Sequence, residues 1–182
     1  MAAICVFCGS ASGNLSSYAE LTKKLGRMIA ESDHQLIYGG GSLGLMGVIA
    51  DEVLACDGRV TGVIPEALAN VELMHSEVTD MRVVEDMHRR KALMHDLADV
   101  YIALPGGFGT MEELFEVLCW AQLDFHRAPI AILNVDGYYD GLISLIDSMV
   151  RRDFLDANCR SLLTVVSEIG ELKDWLTNMC PR

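Results

Sequence analysis

The sequence predicts a single doubly wound, Rossmann-like α/β domain with a mainly parallel sheet and helices on both faces. Short apolar runs rich in β-branched residues alternate with longer amphipathic runs along the chain of 182 residues. The short runs are apolar almost throughout, as are parallel strands buried on both faces. The sequence contains neither a linker nor a repeat nor a low-complexity segment, so we expect residues 1–182 to form one domain.

The first half of the chain contains three predicted strands and two predicted helices. AICVFC, HQLIY and RVTGVIP are short, apolar and partly β-branched, whereas the runs between them have apolar residues at helical spacing. The strands are predicted at residues 3–8, 34–38 and 59–65. The helices are predicted from about 15 to 31 and from the glycine run GGGSLGLMG to about 56.

The second half repeats this alternation. MRVVED, DVYIAL and PIAILNV predict strands at residues 81–86, 99–104 and 129–135. Helices are predicted over MHRRKALMHDLA, over 110–124 and near 138–151. The short run LLTVV and a last helix, EIGELKDWL, complete the chain.

Composition excludes several classes of partner. The formal net charge of −12 argues against nucleic acid, because binding a phosphate backbone needs a cationic surface. No apolar run approaches the roughly 20 residues of a membrane helix, and MAAICVFCGS lacks the basic region of a secretory signal, so we expect a cytoplasmic protein without a membrane partner. Among the six cysteines, Cys5 and Cys8 form one C-x-x-C on a predicted buried strand, and we expect them to be buried, reduced thiols. The histidines form no dense ligand cluster, so we expect no metal.

Three loops follow predicted strands: CGSASGN, GGGSLG and PGGFGT. Ligands of doubly wound sheets bind beyond the carboxyl ends of the strands, so we expect these loops on one rim. GGGSLG contains G-x-G-x-x-G at Gly39, Gly41 and Gly44, with Glu66 where a ribose-binding acid is expected. Dinucleotide binding, contact with another ligand and a purely structural turn all remain open for this loop.

PGGFGT is the more informative loop. Gly106, Gly107 and Gly109 let the backbone N–H groups point outward at a helix N-terminus, which predicts an anion site. Thr110 can cap the helix or bond a phosphate oxygen. Capping alone is the competing interpretation, because Thr110 and Glu113 match the T-x-x-E capping box. A capping box does not explain three glycines beside a second glycine loop, so we favour a loop that both caps the helix and binds phosphate.

A basic triplet, Arg89 to Lys91, begins the helix MHRRKALMHDLA in a strongly acidic chain. Cations at a helix N-terminus oppose the helix dipole, so another partner is expected to hold them there. Surface ion pairs with Glu85 and Asp86 are one explanation. An anionic ligand reached by Arg90 or Lys91 is the explanation that we prefer.

PGGFGTMEE and MHRRK match P-G-G-x-G-T-x-x-E and M-H-x-R-K, and together they resemble the LOG ("lonely guy") family of cytokinin riboside 5′-monophosphate phosphoribohydrolases, which are often labelled lysine decarboxylases. VFCGS, YGGGSLGLMG, VTGVIP and LNVDGYYD extend the resemblance from about residue 4 to at least 155. The resemblance implies hydrolysis of the N-glycosidic bond of a nucleoside 5′-monophosphate. The products would be a free base, such as an N6-substituted adenine, and ribose 5-phosphate, and no cofactor is implied.

The resemblance also implies roles for individual residues. Arg90 and Glu113 would be the catalytic pair: Glu113 would stabilise an oxocarbenium-like sugar or orient water, and Arg90 would hold the phosphate or support the leaving base. The phosphate cradle would consist of Gly106, Gly107, Gly109 and Thr110, with Lys91 beside Arg90. The candidates for lining the nucleotide pocket are Gly9, Ser10, Gly40, Gly41 and Met87.

The sequence departs from the family pattern at two places. Cys119 replaces a threonine of many plant members, and the segment near Ser76 lacks their acidic residue, with Glu77 only close by.

The helix 110–124 is apolar around most of its circumference, which predicts burial or an interface. The family implies a homodimer with its active sites near that interface.

Three other functions are considered. A general nucleosidase for AMP and other nucleotides would use the same site, and a nucleotide or cofactor carrier of the same superfamily would bind without hydrolysis. The combination of Arg90 and Glu113 argues against the carrier. A dinucleotide-dependent oxidoreductase would use the motif at Gly39. We expect the riboside without phosphate to be a poor substrate, because remote binding energy orients the sugar.

Overall fold

Seven parallel strands form one sheet in the computed structural model, which describes residues 1–69 and 74–179. The strands are Ala3–Phe7 (β1), Gln35–Tyr38 (β2), Arg59–Pro65 (β3), Asp80–Val84 (β4), Val100–Ala103 (β5), Ile130–Leu133 (β6) and Leu163–Val166 (β7). Their order is β4-β3-β2-β1-β5-β6-β7, and every pairing between neighbours is parallel. The predicted α/β class with a parallel sheet is confirmed, and LLTVV supplies its seventh strand.

Helices cover both faces of the sheet. They are Ser16–Glu31 (α1), Gly44–Ala55 (α2), Glu66–Ala69 (α3), Met87–Leu97 (α4), Phe108–Gln122 (α5), Asp140–Arg151 (α6), Ala157–Arg160 (α7) and Ile169–Met179 (α8), with a 3-10 turn at Val135–Gly137. Buried residues of α1, α2 and α8 pack on one face, and those of α4, α5 and α6 pack on the other. No helix within the described residues is long and apolar enough to cross a membrane.

The core consists of two hydrophobic layers separated by the sheet. Ile4 and Val6 of β1 belong to one layer, whereas Cys5 and Phe7 belong to the other, because successive strand side chains point to opposite faces. All four are buried. This two-sided burial explains why β1 is apolar at every position instead of alternating with polar residues.

The strand order reverses beside β1, and this reversal positions the site. From β1 the chain moves outward through β2, β3 and β4, and then returns to pair β5 on the other side of β1. The loops after β1 and β5 therefore diverge around a crevice at the carboxyl ends of the strands. They are joined across it by the Gly9 N–H, which donates to the Pro105 carbonyl at 3.0 Å.

The element boundaries differ from the predictions at a few places. α5 begins at Phe108, two residues before its predicted start, and most strands are one or two residues shorter at their ends. The short helices α3 and α7 and the 3-10 turn were not predicted. Each is no longer than one helical turn, so it has too few residues to show a helical period.

Candidate active site

A pocket of about 480 Å³ opens beyond the carboxyl ends of the central strands. The three glycine loops form its floor and rim, and side chains from α4 and α5 close one side. The sequence placed these loops on one rim, and the structure brings all three to this pocket. Its polar lining is Ser10, Arg90, Thr110 and Glu113.

Close contact between backbones explains several of the glycines. A Cβ on Gly44, where φ is +60°, would lie 2.3 Å from the carbonyl carbon of Ser10. A Cβ on Gly106 would lie 2.0 Å from Thr110 Oγ1 and 2.9 Å from Gly9 N. The first and second loops, and likewise the first and third loops, therefore pack without room for side chains.

Steric contact within the protein does not explain the glycines at 107 and 109. A Cβ at either position would meet no atom of the described part of the chain within 4 Å, and both residues line the pocket. Bare backbone that faces an open pocket lets a ligand approach the N–H groups closely. These two positions are consequently the strongest structural indication of an anion site.

Gly39 makes room for a functional side chain. A Cβ on Gly39 would lie 1.8 Å from Arg90 Nη2, so the guanidinium of Arg90 occupies the space that a larger residue would fill. Gly40, where φ is +75°, packs against Ile64 of β3. In this structure the second glycine loop accommodates Arg90, which is a different use of the motif from the dinucleotide interpretation.

Arg90 extends from the first turn of α4 into the pocket. Its Nε donates a hydrogen bond to the Val63 carbonyl at 3.2 Å, and its Nη1 lies 3.4 Å from Glu113 Oε1. The helix itself is capped by Asp86, whose Oδ1 accepts from the Arg89 N–H at 2.8 Å. Asp86 thus stabilises the helix start, and the cationic group of Arg90 is free to pair with a buried carboxylate.

Glu113 is a buried carboxyl group at the pocket wall. It lies on the second turn of α5, and only 7% of its surface is exposed. Burial raises the pKa of Glu113 to about 7, although the nearby Arg90 lowers it. A carboxyl group with this pKa beside a cation is typical of functional sites, because the ionised and neutral forms both exist near neutral pH.

Lys91 lies one residue further along α4, in a separate polar network. Its Nζ forms ion pairs with Glu112 and Glu116, and Glu116 also bonds His95 Nε2 at 3.0 Å. Burial lowers the pKa of Lys91, but the two carboxylates outweigh burial and hold it above its ordinary value. The partners of this cation are therefore on α5 and not at Glu85 or Asp86, the surface partners considered from the sequence.

The capping interpretation of Thr110 is wrong. The N-cap of α5 is Gly107, without a side-chain hydrogen bond, so Thr110 is the third residue of the helix. Thr110 is buried against Gly106, and Glu113 faces Arg90 instead of returning to a cap N–H. Glycines at 107 and 109 allow the helix to begin earlier than the T-x-x-E pattern indicates.

The predicted binding residues fall into two groups. Gly9, Ser10, Gly41, Gly107, Gly109 and Thr110 line the pocket together with Arg90 and Glu113. Gly40, Met87, Lys91 and Gly106 lie next to the lining residues but outside the lining itself. Contact of any of these residues with a ligand stays a prediction.

Among the other positions singled out in the sequence, Cys8 and Gly39 line the pocket, whereas Cys119 and Glu66 do not. Cys119 is exposed on α5, and Glu66 begins α3. The expectation that Cys5 and Cys8 are buried is confirmed. Cys56 and Cys159 are half-buried, and Cys180 lies outside the described residues.

An apolar wall was not predicted from the sequence. Leu43, Met46, Ile64 and Leu68 also line the pocket, and Phe108 lies at its edge with 96% of its surface exposed. These residues come from a loop, a strand and several helices, and no single short motif contains them all. The only available signal was that Leu43, Met46 and Phe108 lie within or beside the glycine loops.

The chain matches one family model and is similar in sequence to several known proteins. Residues 46–176 match the family model described as possible lysine decarboxylase. The chain is 47% identical over 174 residues to the probable cytokinin riboside 5′-monophosphate phosphoribohydrolase LOG4 of Oryza sativa subsp. japonica, covering 96% of this chain and 76% of the relative. It is 44% identical over 179 residues to cytokinin riboside 5′-monophosphate phosphoribohydrolase LOG1 of Arabidopsis thaliana, covering 98% and 84%.

Solved structures with the same fold are more distant in sequence. The molybdenum cofactor binding protein of Rippkaea orientalis superposes with a TM-score of 0.74 at 19% identity, covering 98% of this chain and 96% of that one. The molybdenum cofactor carrier protein of Chlamydomonas reinhardtii gives a TM-score of 0.74 at 18% identity, covering 98% and 97%. At these identities the likeness shows a shared fold alone.

Proposed function

Because the chain belongs to the LOG family of cytokinin riboside 5′-monophosphate phosphoribohydrolases, we propose that it hydrolyses the N-glycosidic bond of such nucleotides to free base and ribose 5-phosphate. One observation carries the proposal beyond family membership. Arg90 and Glu113 face each other at 3.4 Å in a pocket that is also lined by the bare backbone of Gly107 and Gly109. This arrangement supplies a phosphate site and a charged pair within one cavity.

The N-terminus of α5 is the proposed phosphate site. The first N–H groups of a helix have no partner within the helix, and the helix dipole favours an anion beside them. Gly107, Gly109 and Thr110 present this terminus to the pocket. Gly106 shapes the loop through its contact with Thr110. A 5′-phosphate held here would fix the ribose relative to the wall that carries Glu113.

Glu113 is the proposed catalytic carboxylate. Departure of the base leaves positive charge on C1′ and O4′ of the ribose, and a carboxylate in a water-poor pocket stabilises that charge strongly. Water then adds its oxygen to C1′, while the base nitrogen that leaves the sugar ends with a proton. The ionised form of Glu113 is the form that this step requires.

Arg90 is proposed to keep Glu113 ionised and oriented. The guanidinium is fixed by the Val63 carbonyl and by the space above Gly39, so its pairing with Glu113 has a defined geometry. Its unused N–H donors remain available to the substrate. Lys91 is proposed to act next to this pair, since its ion pairs with Glu112 and Glu116 join α4 to α5 on either side of Glu113.

The apolar wall supports the substrate class. Leu43, Met46, Ile64 and Leu68 form a surface on which the adenine ring and an apolar N6 substituent could lie. We propose that AMP is also a substrate, at lower efficiency, since it lacks only the N6 group. Isopentenyladenosine monophosphate and AMP therefore test the base preference directly.

The deciding experiment is chromatography of these two nucleotides after incubation with the wild type and with Glu113→Gln. We expect the wild type to release free base and ribose 5-phosphate, and the variant to lose at least about a hundredfold in kcat, as expected when a transition-state charge is removed. Gln keeps the size of the side chain and removes only its charge. Nucleotide binding without hydrolysis by the wild type would contradict the proposal and favour a carrier.

We propose that the protein forms a homodimer. Phe108, Phe115 and Leu123 of the α5 region are exposed, and Cys119 lies on the same helix. Exposed aromatic and aliphatic side chains at helical spacing are typical of interfaces. Since Phe108 also borders the pocket, such an interface would lie near the active site.

We further propose a cytoplasmic location, which the unpaired cysteines of the described residues support.

A further inference from the structure

Three consecutive carbonyls at the start of the loop after β5 each accept a hydrogen bond. The Tyr139 hydroxyl donates a hydrogen bond to the Leu104 carbonyl at 2.6 Å, and the Tyr138 hydroxyl donates to the Gly106 carbonyl. The Pro105 carbonyl between them accepts from the Gly9 N–H at 3.0 Å. Every carbonyl from 104 to 106 therefore has a fixed direction.

Fixing a carbonyl also fixes the N–H group that follows it. In a trans peptide unit the C=O and the next N–H point in opposite directions, and no described peptide bond is cis. The bond from Tyr138 to Gly106 thus determines the direction of the Gly107 N–H. Glycine on both sides of this peptide would otherwise allow the unit to rotate and turn its carbonyl toward the ligand.

The turn formed by the motif LNVDGYYD positions these two tyrosines. Asp136 and Gly137 have φ values of 51° and 69°, and this left-handed pair makes a tight turn after β6. Asn134 fixes the turn, because its Oδ1 accepts from the Tyr139 N–H at 2.7 Å and its Nδ2 donates to Asp140 Oδ1 at 2.8 Å. The turn is therefore a rigid support and lies outside the pocket lining.

The two tyrosine rings also stiffen each other. They meet edge to face with centroids 5.0 Å apart, and Tyr18 of α1 meets Tyr138 in the same way at 5.9 Å. Tyr139 is buried, whereas Tyr138 has 41% of its surface exposed. The hydroxyl of Tyr138 can consequently be removed with little effect on the core.

We propose that Tyr138 is a positioning residue, which sets the affinity of the protein for the 5′-phosphate by orienting the N–H group of Gly107, and that Tyr139 supports it by holding the Leu104 carbonyl at the start of the same loop. The inference rests on the proposed function, because it concerns the phosphate end of the same site. Neither tyrosine lines the pocket. A carbonyl directed at a phosphate repels it, so the Tyr138 hydroxyl excludes a loop conformation that binds the anion weakly.

The test compares Tyr138→Phe with Tyr18→Phe, which removes a hydroxyl from the neighbouring ring of the same aromatic group. Binding of ribose 5-phosphate is measured by calorimetry, and kcat and KM are measured for AMP or isopentenyladenosine monophosphate. For Tyr138→Phe we expect ribose 5-phosphate affinity to fall and nucleotide KM to rise by about three- to tenfold, the usual effect of one hydrogen bond. The kcat and the midpoint of thermal unfolding should stay close to wild type, and Tyr18→Phe should leave all four quantities unchanged.

Three further outcomes are decisive. Unchanged ribose 5-phosphate affinity in Tyr138→Phe would overturn the inference, whether or not the wild type hydrolyses nucleotides. A wild type that binds ribose 5-phosphate but cleaves no nucleotide would refute the proposed function, and the affinity ratio would still test the tyrosines. A wild type that binds no ribose 5-phosphate would overturn the inference as well.

Discussion

At the residue scale, burial changes the protonation behaviour of the ion pair between Glu113 and Arg90. On a protein surface such a pair would contribute little and both groups would stay charged. In the pocket, burial disfavours the ionised carboxyl group, and Arg90 only partly restores it. The balance leaves Glu113 with a pKa of about 7.

The first prediction is a pH dependence with a defined sign. The proposed reaction requires ionised Glu113, so kcat/KM should rise with pH through about 7, with a limiting slope of tenfold per pH unit below it. Arg90→Met removes the cation that lowers this pKa and should raise it further. A ¹³C NMR titration of the Glu113 carboxyl group, assigned through Glu113→Gln, measures both values without relying on activity. A pKa near 4.5 in the wild type would contradict the prediction.

The second prediction concerns the glycine that accommodates Arg90. Ala at position 39 would place its Cβ 1.8 Å from Arg90 Nη2, so the guanidinium must move. A displacement of about 1 Å at a reacting group can cost a hundredfold in rate, and we expect a loss of that order in kcat/KM with little change in the unfolding midpoint.

Gly141→Ala is the matched control for this substitution. Gly141 lies on α6, and a Cβ there would meet no described atom within 4 Å. Its activity should equal that of the wild type. Full activity in Gly39→Ala would show that the position of Arg90 does not matter for the reaction.

At the scale of the elements, four helices among the described residues share one unusual ending. α1, α2, α5 and α6 are each followed by an aspartate in the left-handed region: Asp33, Asp57, Asp124 and Asp153. After α6, the Asp153 N–H bonds the Val150 carbonyl at 3.1 Å and the Phe154 N–H bonds the Met149 carbonyl at 2.9 Å. This is the Schellman pattern, in which glycine is the usual residue.

The third prediction follows from that ending. Asp153 is exposed, and its charge opposes the negative end of the α6 dipole. Asp153→Gly removes both the left-handed strain and the charge, and should raise the free energy of unfolding by about 0.5 kcal/mol. Asp153→Val, which adds a β-branched side chain at φ 61°, should lower it by about 1 kcal/mol or more. Urea denaturation measures both, and a Val variant as stable as the Gly variant would refute the explanation.

The accuracy with which the sequence predicts the first and last residues of an element differs between β3 and α5. β3 was predicted at its observed limits because Arg59 and Pro65 bound the short, β-branched run VTGVI. The start of α5 was misplaced because the T-x-x-E pattern competes with a glycine N-cap, and only the packing of Thr110 against Gly106 decides between them.

At the scale of the whole molecule, the last prediction concerns assembly. If the exposed apolar side chains of the α5 region form the proposed interface, light scattering should give twice the chain mass of 20.0 kDa. Phe115→Glu should shift the protein toward the monomer, because it places a charge in that interface. Leu145→Glu on α6 is the control, since Leu145 is also exposed but lies on another helix. A monomeric wild type at working concentration would contradict the proposal.

The sequence by itself determined the fold class, the three glycine loops on one rim and the family of the chain. Strand and helix periods are local, and PGGFGTMEE and MHRRK are contiguous motifs, so each could be recognised without a structure. That residues 1–182 form one domain, and that Arg90 and Glu113 are catalytic, stay predictions.

Only the tertiary structure decided which glycine serves which purpose. The Arg90 guanidinium occupies the space beside Gly39, and the Thr110 side chain occupies the space beside Gly106. Within the described residues, no such group contacts Gly107 or Gly109, and both expose their backbone to the pocket. It also revealed that Lys91 pairs with Glu112 and Glu116, and that the tyrosines of LNVDGYYD support the loop after β5. Apart from the contact of Gly106 with Thr110, these contacts join residues 21 to 51 positions apart. The sequence cannot determine them, because their distances depend on how helices and loops pack on the sheet.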